Sequence, residues 1–104
     1  MNDVFIDCYT RPIDGSRLCV PPEWARIFRN RGGVVAVELP SERLVLATKE
    51  IVEKSSNTEL LKAVRCNMDS QGRITISKVF RGMFDSVKNV ILKGLVHYVE
   101  VFGE

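Results

Sequence analysis

The sequence predicts a mainly β protein with short helices, folded as a compact β-barrel. At least six short segments alternate apolar and polar residues or form apolar hairpin runs, and only brief helical patterns separate them. The same order of segments also occurs twice, at an offset of 56 residues. Neither copy is long enough to bury a sufficient core alone. We therefore expect one domain over residues 1–104, in which two half-barrels share a core.

The two copies extend over residues 4–47 and 63–102, with a polar, helical connector at about 48–62. The alignment places Arg17–Val20 over Arg73–Ile76. Few residues are identical, but the pattern of strand, turn, strand, short helix and hairpin recurs in order. This recurrence predicts an internal duplication.

In the second copy, residues 64–68 alternate as a half-buried strand does, and Asp69–Gly72 has turn composition. Gly72 is free to take a positive φ. Arg73–Ile76 alternates again and predicts a strand that directs its two isoleucines inward. Ser77 is a candidate N-cap for a helix of about two turns. The apolar residues on one side of that helix are Phe80, Met83 and Phe84.

In the first copy, Pro22 occupies the favoured first position of a helix. Trp24 and Phe28 form its apolar pair and are interpreted as core residues, not as a platform for stacking bases. The glycines at 32 and 33 end the helix.

Each copy then closes with a predicted hairpin. The hairpin strands are Val34–Leu39 with Leu44–Ala47, and Val90–Lys93 with His97–Phe102. In the connector, Thr48 is a candidate cap for a helix over Lys49–Lys54, and Ser56–Glu59 has the spacing of a capping box.

The formal net charge of +2 comes from 15 basic and 13 acidic residues, which are unevenly distributed. Arg11–Arg31 and Arg65–Arg81 each carry a balance of +3, whereas Glu38–Glu59 carries −2. Both basic clusters fall on the same part of the repeat. A twofold relation between the copies would join them into one basic face, as expected of a surface that contacts a phosphate backbone. The alternative is a solvated charged face without a partner.

The rarity of reactive residues argues against an enzyme. Cys8, Cys19 and Cys66 are far apart and form no C-x-x-C pair, which favours a reducing cytosol over a disulfide framework. His97 is the single histidine, so we expect no metal site, no catalytic triad and no cofactor. No apolar run approaches about 18 residues and no secretory pattern opens the chain, so we expect a cytoplasmic protein without a membrane partner.

The segment Asp69–Ile76 reads D-x-x-G-R-I-x-I and is followed by Phe80 and Arg81. It resembles the AbrB-type swapped-hairpin DNA-binding element. The presence of two such elements in one chain points to one particular family. Ile13–Pro21 and the closing hairpin from Asn89 to Phe102 resemble the MraZ family of bacterial transcriptional regulators. The resemblance covers nearly the whole chain.

This resemblance implies a single-chain barrel of two swapped-hairpin elements that oligomerises, in the family as a ring. It implies binding to short repeats in promoter DNA, and hence association with the nucleoid. The family's motif aspartate and arginine fall on Asp69 and Arg73, and on Asp14 and Arg17. The first turn is one residue shorter, and Ser16 stands in the place of the glycine.

We expect the outward arginines of a two-stranded ribbon to contact base edges in the major groove or phosphates. The candidate DNA-binding residues are Arg11, Arg17, Arg26, Arg73, Lys78 and Arg81. The candidates for shaping the turns and orienting the arginines are Asp14, Asp69, Gln71 and Gly72. The alternative is that each Asp–Arg pair only holds its own turn. Arg29 and Arg31 are expected to be solvated.

Two other functions fit the same fold. One is an antitoxin that binds a toxin protein, although such proteins usually use a long disordered tail and this sequence ends two residues after the last predicted strand. The other is a structural oligomer without DNA binding, which the shortened first turn suggests.

Overall fold

A computed structural model of the chain describes residues 4–14, 17–40, 43–54, 62–76, 80, 82–84 and 86–103. The strands are β1 (Cys8–Asp14), β2 (Arg17–Cys19), β3 (Val34–Leu39), β4 (Arg43–Thr48), β5 (Lys62–Met68), β6 (Arg73–Thr75), β7 (Asn89–Gly94) and β8 (Tyr98–Gly103). The α-helices are α1 (Pro22–Asn30) and α2 (Lys49–Lys54), and a 3-10 turn covers Gly82–Phe84.

The strands close into a barrel in the order β1-β2-β6-β5-β3-β4-β8-β7, and every neighbouring pair is antiparallel. The mainly β fold and the barrel predicted from the sequence are confirmed. The Cα radius of gyration is 12.5 Å, close to the roughly 13 Å expected of a compact chain of this length. In this ring of strands, the β2–β6 pair lies across the barrel from the β4–β8 pair.

The order of the strands around the barrel stays the same when the two halves of the chain are exchanged. Replacing β1–β4 by β5–β8, and the reverse, reproduces the same sequence of neighbours. Where the halves meet, Leu18 of β2 lies opposite Ile74 of β6, its counterpart at the 56-residue offset. The internal duplication remains a prediction, and this pairing supports it.

Strands β3 and β4 are buried on both faces, which explains why their sequences are continuously apolar rather than alternating. One set of their side chains joins the main core inside the barrel: Val34, Ala36, Leu44 and Leu46. The other set forms a smaller cluster beneath α2, whose Val52 packs against it: Val35, Val37 and Val45. The connector helix, which carries two lysines and two glutamates, therefore covers the outside of this hairpin.

Helix α1 begins at Pro22, as predicted, and directs its apolar face into the barrel. Trp24 is 2% exposed and Phe28 is fully buried. The Trp24 ring meets Phe5 edge-on at 5.7 Å and Tyr9 edge-on at 5.1 Å. These aromatics are core residues, as the sequence indicates. Gly32 and Gly33 follow the helix with φ of +94° and +106°, which explains why glycines end it.

The hairpins β3–β4 and β7–β8 pair as predicted. Thr48 caps α2, because its Oγ1 accepts a hydrogen bond from the backbone N–H of Ile51 at 3.2 Å. The predicted capping box at Ser56–Glu59 and the predicted cap at Ser77 lie outside the described residues.

Of the predicted two-turn helix after β6, the structure describes only Phe80 and Gly82–Phe84. Phe80 is helical and buried, and a tighter 3-10 turn follows at Gly82–Phe84. The 3-10 turn begins at Gly82, and glycine is among the poorest formers of an α-helix interior. Phe84 nevertheless reaches the core, as its spacing from Phe80 predicts.

Candidate nucleic-acid interface

A β-turn over Asp69–Gly72 joins β5 to β6. The N–H of Gly72 donates to the carbonyl oxygen of Asp69 at 3.1 Å, and the N–H of Asp69 donates to the carbonyl of Arg73 at 3.0 Å. Gly72 takes a φ of +81°, the left-handed conformation predicted for it. The sequence thus produces a closed turn at the end of the β5–β6 hairpin.

The carboxylate of Asp69 holds this turn from inside. Its Oδ1 accepts hydrogen bonds from the backbone N–H groups of Gln71 and Arg73, both at 2.9 Å. Its Oδ2 accepts a hydrogen bond from Nε of Arg73 at 2.6 Å. The predicted turn-shaping role of Asp69 thus has a direct geometric basis, and Gln71 takes part through its backbone.

The same contacts lower the pKa of the Asp69 carboxyl below its ordinary value of 3.8. The hydrogen bond from the backbone of Arg73 contributes most, and the Arg73 side chain and the Gln71 backbone act in the same direction. Asp69 is therefore ionised at neutral pH and holds Arg73 by charge as well as by hydrogen bonding.

Arg73 uses Nε for this contact and remains 44% exposed. Among the described residues, its terminal Nη1 and Nη2 atoms make no hydrogen bond. A guanidinium fixed through Nε with both terminal nitrogens unengaged can form the two parallel hydrogen bonds that recognise a guanine edge or a phosphate.

Strands β2 and β6 pair antiparallel in the barrel, between β1 and β5, and this pair, called the β2–β6 ribbon below, carries arginines on its outer face. Arg17 lies opposite Thr75, and Cys19 lies opposite Arg73, while Leu18 and its partner turn inward. Arg17 and Arg73 are therefore diagonal neighbours, with backbones about 7 to 8 Å apart. The structure brings together the two arginines that the sequence analysis singled out, one from each half.

These two arginines line one open groove. Its lining comes from both halves of the chain and consists of Arg17, Asn67, Met68, Asp69, Arg73 and Thr75. A second depression continues from it, because both share Asn67 and Met68. Of the described residues that line the two depressions, only Asp69 is acidic, against four arginines. The surface is thus electropositive over its whole length.

Two of these four arginines, Arg29 and Arg65, line the second depression. Nη2 of Arg65 donates to the carbonyl of Gly32 at 3.3 Å. Arg29 donates from Nη2 to the carbonyl oxygens of Asp69 and Ser70, at 3.1 and 2.9 Å. Both residues belong to the predicted basic clusters but not to the predicted DNA-binding residues, and their contacts connect positions more than 30 residues apart.

Arg29 is exposed and Arg31 is partly exposed, as predicted for solvated residues, but both also make specific contacts. Arg29 holds the second turn, as described above. Nη1 of Arg31 forms an ion pair with Glu50 of α2 at 3.2 Å. Glu50 also pairs with Lys54 at 3.1 Å, and these cations lower the pKa of its carboxyl. This ion pair thus joins α2 to the C-terminal end of α1.

The other predicted residues are not all in the groove. Arg26 is exposed on α1. Arg11 is half-buried on the side of β1 that carries Tyr9, and its guanidinium lies 5.1 Å from the centre of that ring. Lys78 and Arg81 lie outside the described residues, so their predicted contacts stay predictions.

The first turn differs from the second in its contacts. Asp14 lies opposite Arg17 in the β1–β2 register. Within the described part of the chain, however, its carboxylate forms no ion pair with Arg17. The predicted orienting role of Asp14 thus lacks the contact that Asp69 makes.

The described residues carry little that suggests other chemistry. Across residues 4–14, 17–40, 43–54, 62–76, 80, 82–84 and 86–103, no three His, Cys, Asp or Glu side chains converge as a metal site would require. Neither helix in this part of the chain is long and apolar enough to cross a membrane. The arrangement is suited to binding an anionic surface.

Comparison with known proteins finds a family model that is similar to the second half of the chain. A family model described as "MraZ protein, putative antitoxin-like" matches residues 60–104. This match confirms the predicted MraZ resemblance for residues 60–104, which include the second turn, Arg73 and the closing hairpin. No curated protein matches the chain.

Proposed function

We propose that this chain, whose residues 60–104 match the MraZ family, is a transcriptional regulator that binds double-stranded DNA through the β2–β6 ribbon. The observation that carries the proposal is the groove in which Arg17 and Arg73 lie side by side on that ribbon. Other DNA-binding proteins place paired β-strands in the major groove of B-form DNA, and we place β2 and β6 there in the same way. The arginines of the ribbon then face the base edges.

Three of the four arginines of the two adjoining depressions, together with Arg26 on α1, divide into two roles. Arg73, held through Nε by Asp69, is placed to make a bidentate contact to guanine. Arg17, Arg65 and the exposed Arg26 supply positive charge toward the phosphates. Arg11, Lys78 and Arg81 extend the same charge in this proposal.

We also propose that several copies of the chain act together at repeated promoter sites, as a homo-oligomer at the nucleoid. Two strands of three residues offer few base contacts, so one protomer alone binds weakly. Linking several such ribbons on one assembly raises the overall affinity without any new contact.

The test is binding of duplex DNA from the region upstream of the gene, followed by fluorescence anisotropy over a series of salt concentrations. We expect a steep loss of affinity with rising salt for the wild-type protein. Arg73→Ala should weaken binding to this site by about 1 to 3 kcal/mol. Arg17→Ala should weaken binding to all sequences and reduce the salt slope by about 1.

Lys93→Ala is the matched control, because it removes one exposed positive charge on β7, outside the ribbon. It should leave both the affinity and the salt slope close to the wild-type values. If wild-type protein binds no duplex at low salt, or if Lys93→Ala weakens binding as much as Arg17→Ala, the proposed surface is wrong.

A second candidate function is neutralisation of a toxin protein, which the antitoxin-like description of the matched family favours. Purification from the native host distinguishes the two functions. A small partner protein that remains bound in stoichiometric amount, together with the absence of DNA binding at low salt, would support the antitoxin.

A further inference from the structure

The second turn is held by a side chain that comes from the other half of the chain. Arg29 lies in the last turn of α1, and its single Nη2 atom reaches the carbonyl oxygens of both Asp69 and Ser70. These are charge-assisted hydrogen bonds, which are stronger than those between neutral groups. They fix the two peptide units that open the turn.

Two further contacts join the turn to the same segment of the first half. The N–H of Val20 donates to the carbonyl oxygen of Gly72 at 3.1 Å. A Cβ atom added to Gly72 would lie 3.2 Å from the Cβ of Ala25, so the turn rests directly on α1. Arg73 follows this turn immediately, and its direction therefore depends on how firmly the turn is held.

We infer that Arg29 is a positioning residue that locks the Asp69–Gly72 turn onto α1 and thereby aims Arg73 at DNA. The inference rests on the proposed function because it takes DNA as the target of Arg73. The contacts between Arg29 and the turn are those of the free protein. Arg29 acts through the turn, whereas Arg17 acts through its own charge.

For the first turn, the sequence has no arginine at the position equivalent to Arg29. At the 56-residue offset, Arg29 is matched by Asp85, whose carboxylate has no proton to donate to a carbonyl oxygen at neutral pH. Ala25 is matched by Arg81, and the glycine of the turn by Ser16. The two halves are therefore unequal: Arg73 is fixed in advance and discriminates between sequences, while Arg17 adapts to the DNA and contributes general affinity.

The test compares Arg29→Met and Arg29→Lys with the charge-matched control Arg26→Met. Methionine keeps much of the length of the side chain but cannot donate a hydrogen bond, whereas lysine keeps both charge and donor. The first measurement is amide hydrogen exchange in the free protein at Gln71, Gly72 and Arg73, whose N–H groups bond within the turn. We expect exchange about tenfold faster or more in Arg29→Met, partial recovery in Arg29→Lys, and no change in Arg26→Met.

The second measurement is the DNA titration, with the upstream duplex and an unrelated duplex compared across the salt series. Arg29→Met should lose affinity for the upstream duplex, by about tenfold, and keep the wild-type salt slope, because no phosphate contact has been removed. Arg26→Met should instead lower the slope equally for both duplexes.

Each possible result either supports or contradicts the positioning role of Arg29. If the turn amides exchange at the wild-type rate in Arg29→Met, Arg29 does not hold the turn, and this result is independent of DNA binding. A reduced salt slope in Arg29→Met makes Arg29 a phosphate contact and overturns its positioning role. If exchange accelerates but wild-type protein binds no DNA, the lock is supported and the proposed function fails. Gly72→Ala, which crowds Ala25 at a φ of +81°, should reproduce the faster exchange independently of charge.

Discussion

At the scale of single residues, Asp69 connects the local chemistry of the second turn to its function. One carboxylate accepts two backbone hydrogen bonds and one from the Arg73 side chain. The D-x-x-G-R spacing predicts these contacts because all of them join residues at most four positions apart. The contact from Arg29 could not be predicted in this way, since nothing in the local sequence indicates which helix packs on the turn.

The lowered pKa of Asp69 predicts a dependence of stability on pH. A carboxyl whose pKa is depressed by folding stabilises the folded state fully above its unfolded pKa, about 3.8, and loses that contribution as the pH falls through the folded value. We expect wild-type protein to be more stable than Asp69→Asn at pH 7, and this gap to narrow below about pH 3.8. Urea unfolding at pH 7 and at acid pH measures it.

Comparison with Asp69→Asn is needed because Glu50 also has a lowered pKa and contributes to the acid sensitivity of both proteins. That contribution cancels in the difference between them. A gap that is the same at neutral and acid pH would show that the Asp69 charge has no part in holding the turn.

At the scale of elements, the sequence predicted the parts that depend on neighbouring residues. The start of α1 at Pro22, its end ahead of Gly32 and the Thr48 cap of α2 each follow from short-range chemistry. The segment after β6 was harder to predict, because the spacing of its aromatic residues fits either kind of helix. Gly82 favours the tighter 3-10 turn there.

The N-terminal segment crosses the end of β7, and one glycine allows the close approach. Phe5 exchanges two backbone hydrogen bonds with Val96, at 2.9 and 2.8 Å. A Cβ atom at Gly94 would lie 2.6 Å from the carbonyl carbon and oxygen of Phe5, so backbone would have to move. This crossing places the Phe5 ring against Trp24 in the core.

We therefore expect Gly94→Ala to destabilise the protein by about 1 to 3 kcal/mol. For a domain of this size, each kcal/mol lowers Tm by roughly 4 to 8 °C. Gly82→Ala is the control: a Cβ there meets no atom within 4 Å, and alanine favours helical backbone more than glycine does. In thermal unfolding, the Tm of Gly94→Ala should fall, whereas the Tm of Gly82→Ala should rise or stay unchanged. Equal losses in both would contradict the close approach at Gly94.

At the scale of the whole molecule, the barrel explains why a small net charge is compatible with an anion-binding surface. Strands β2 and β6 come from different halves and meet on one side, so the arginines of both basic clusters converge there. The opposite β4–β8 pair carries the Arg43–Glu100 ion pair at 3.1 Å. The sequence indicated that both basic clusters occupy equivalent places, but the joining of Arg17 and Arg73 in one groove required the strand order.

Two exposed cysteines allow this surface to be tested directly. Cys19 lies opposite Arg73 on the ribbon, whereas Cys8 lies at the far end of β1, about 20 Å along the strand from Asp14. Cys66 is buried and lines the second depression, so it is left out of the comparison. The measurement is the rate of alkylation of each thiol, read by mass spectrometry, with and without saturating upstream duplex. DNA binding through the ribbon predicts that Cys19 is protected while Cys8 reacts at its free rate. Protection of Cys8 instead, or no protection of Cys19 when the duplex is bound, would contradict it.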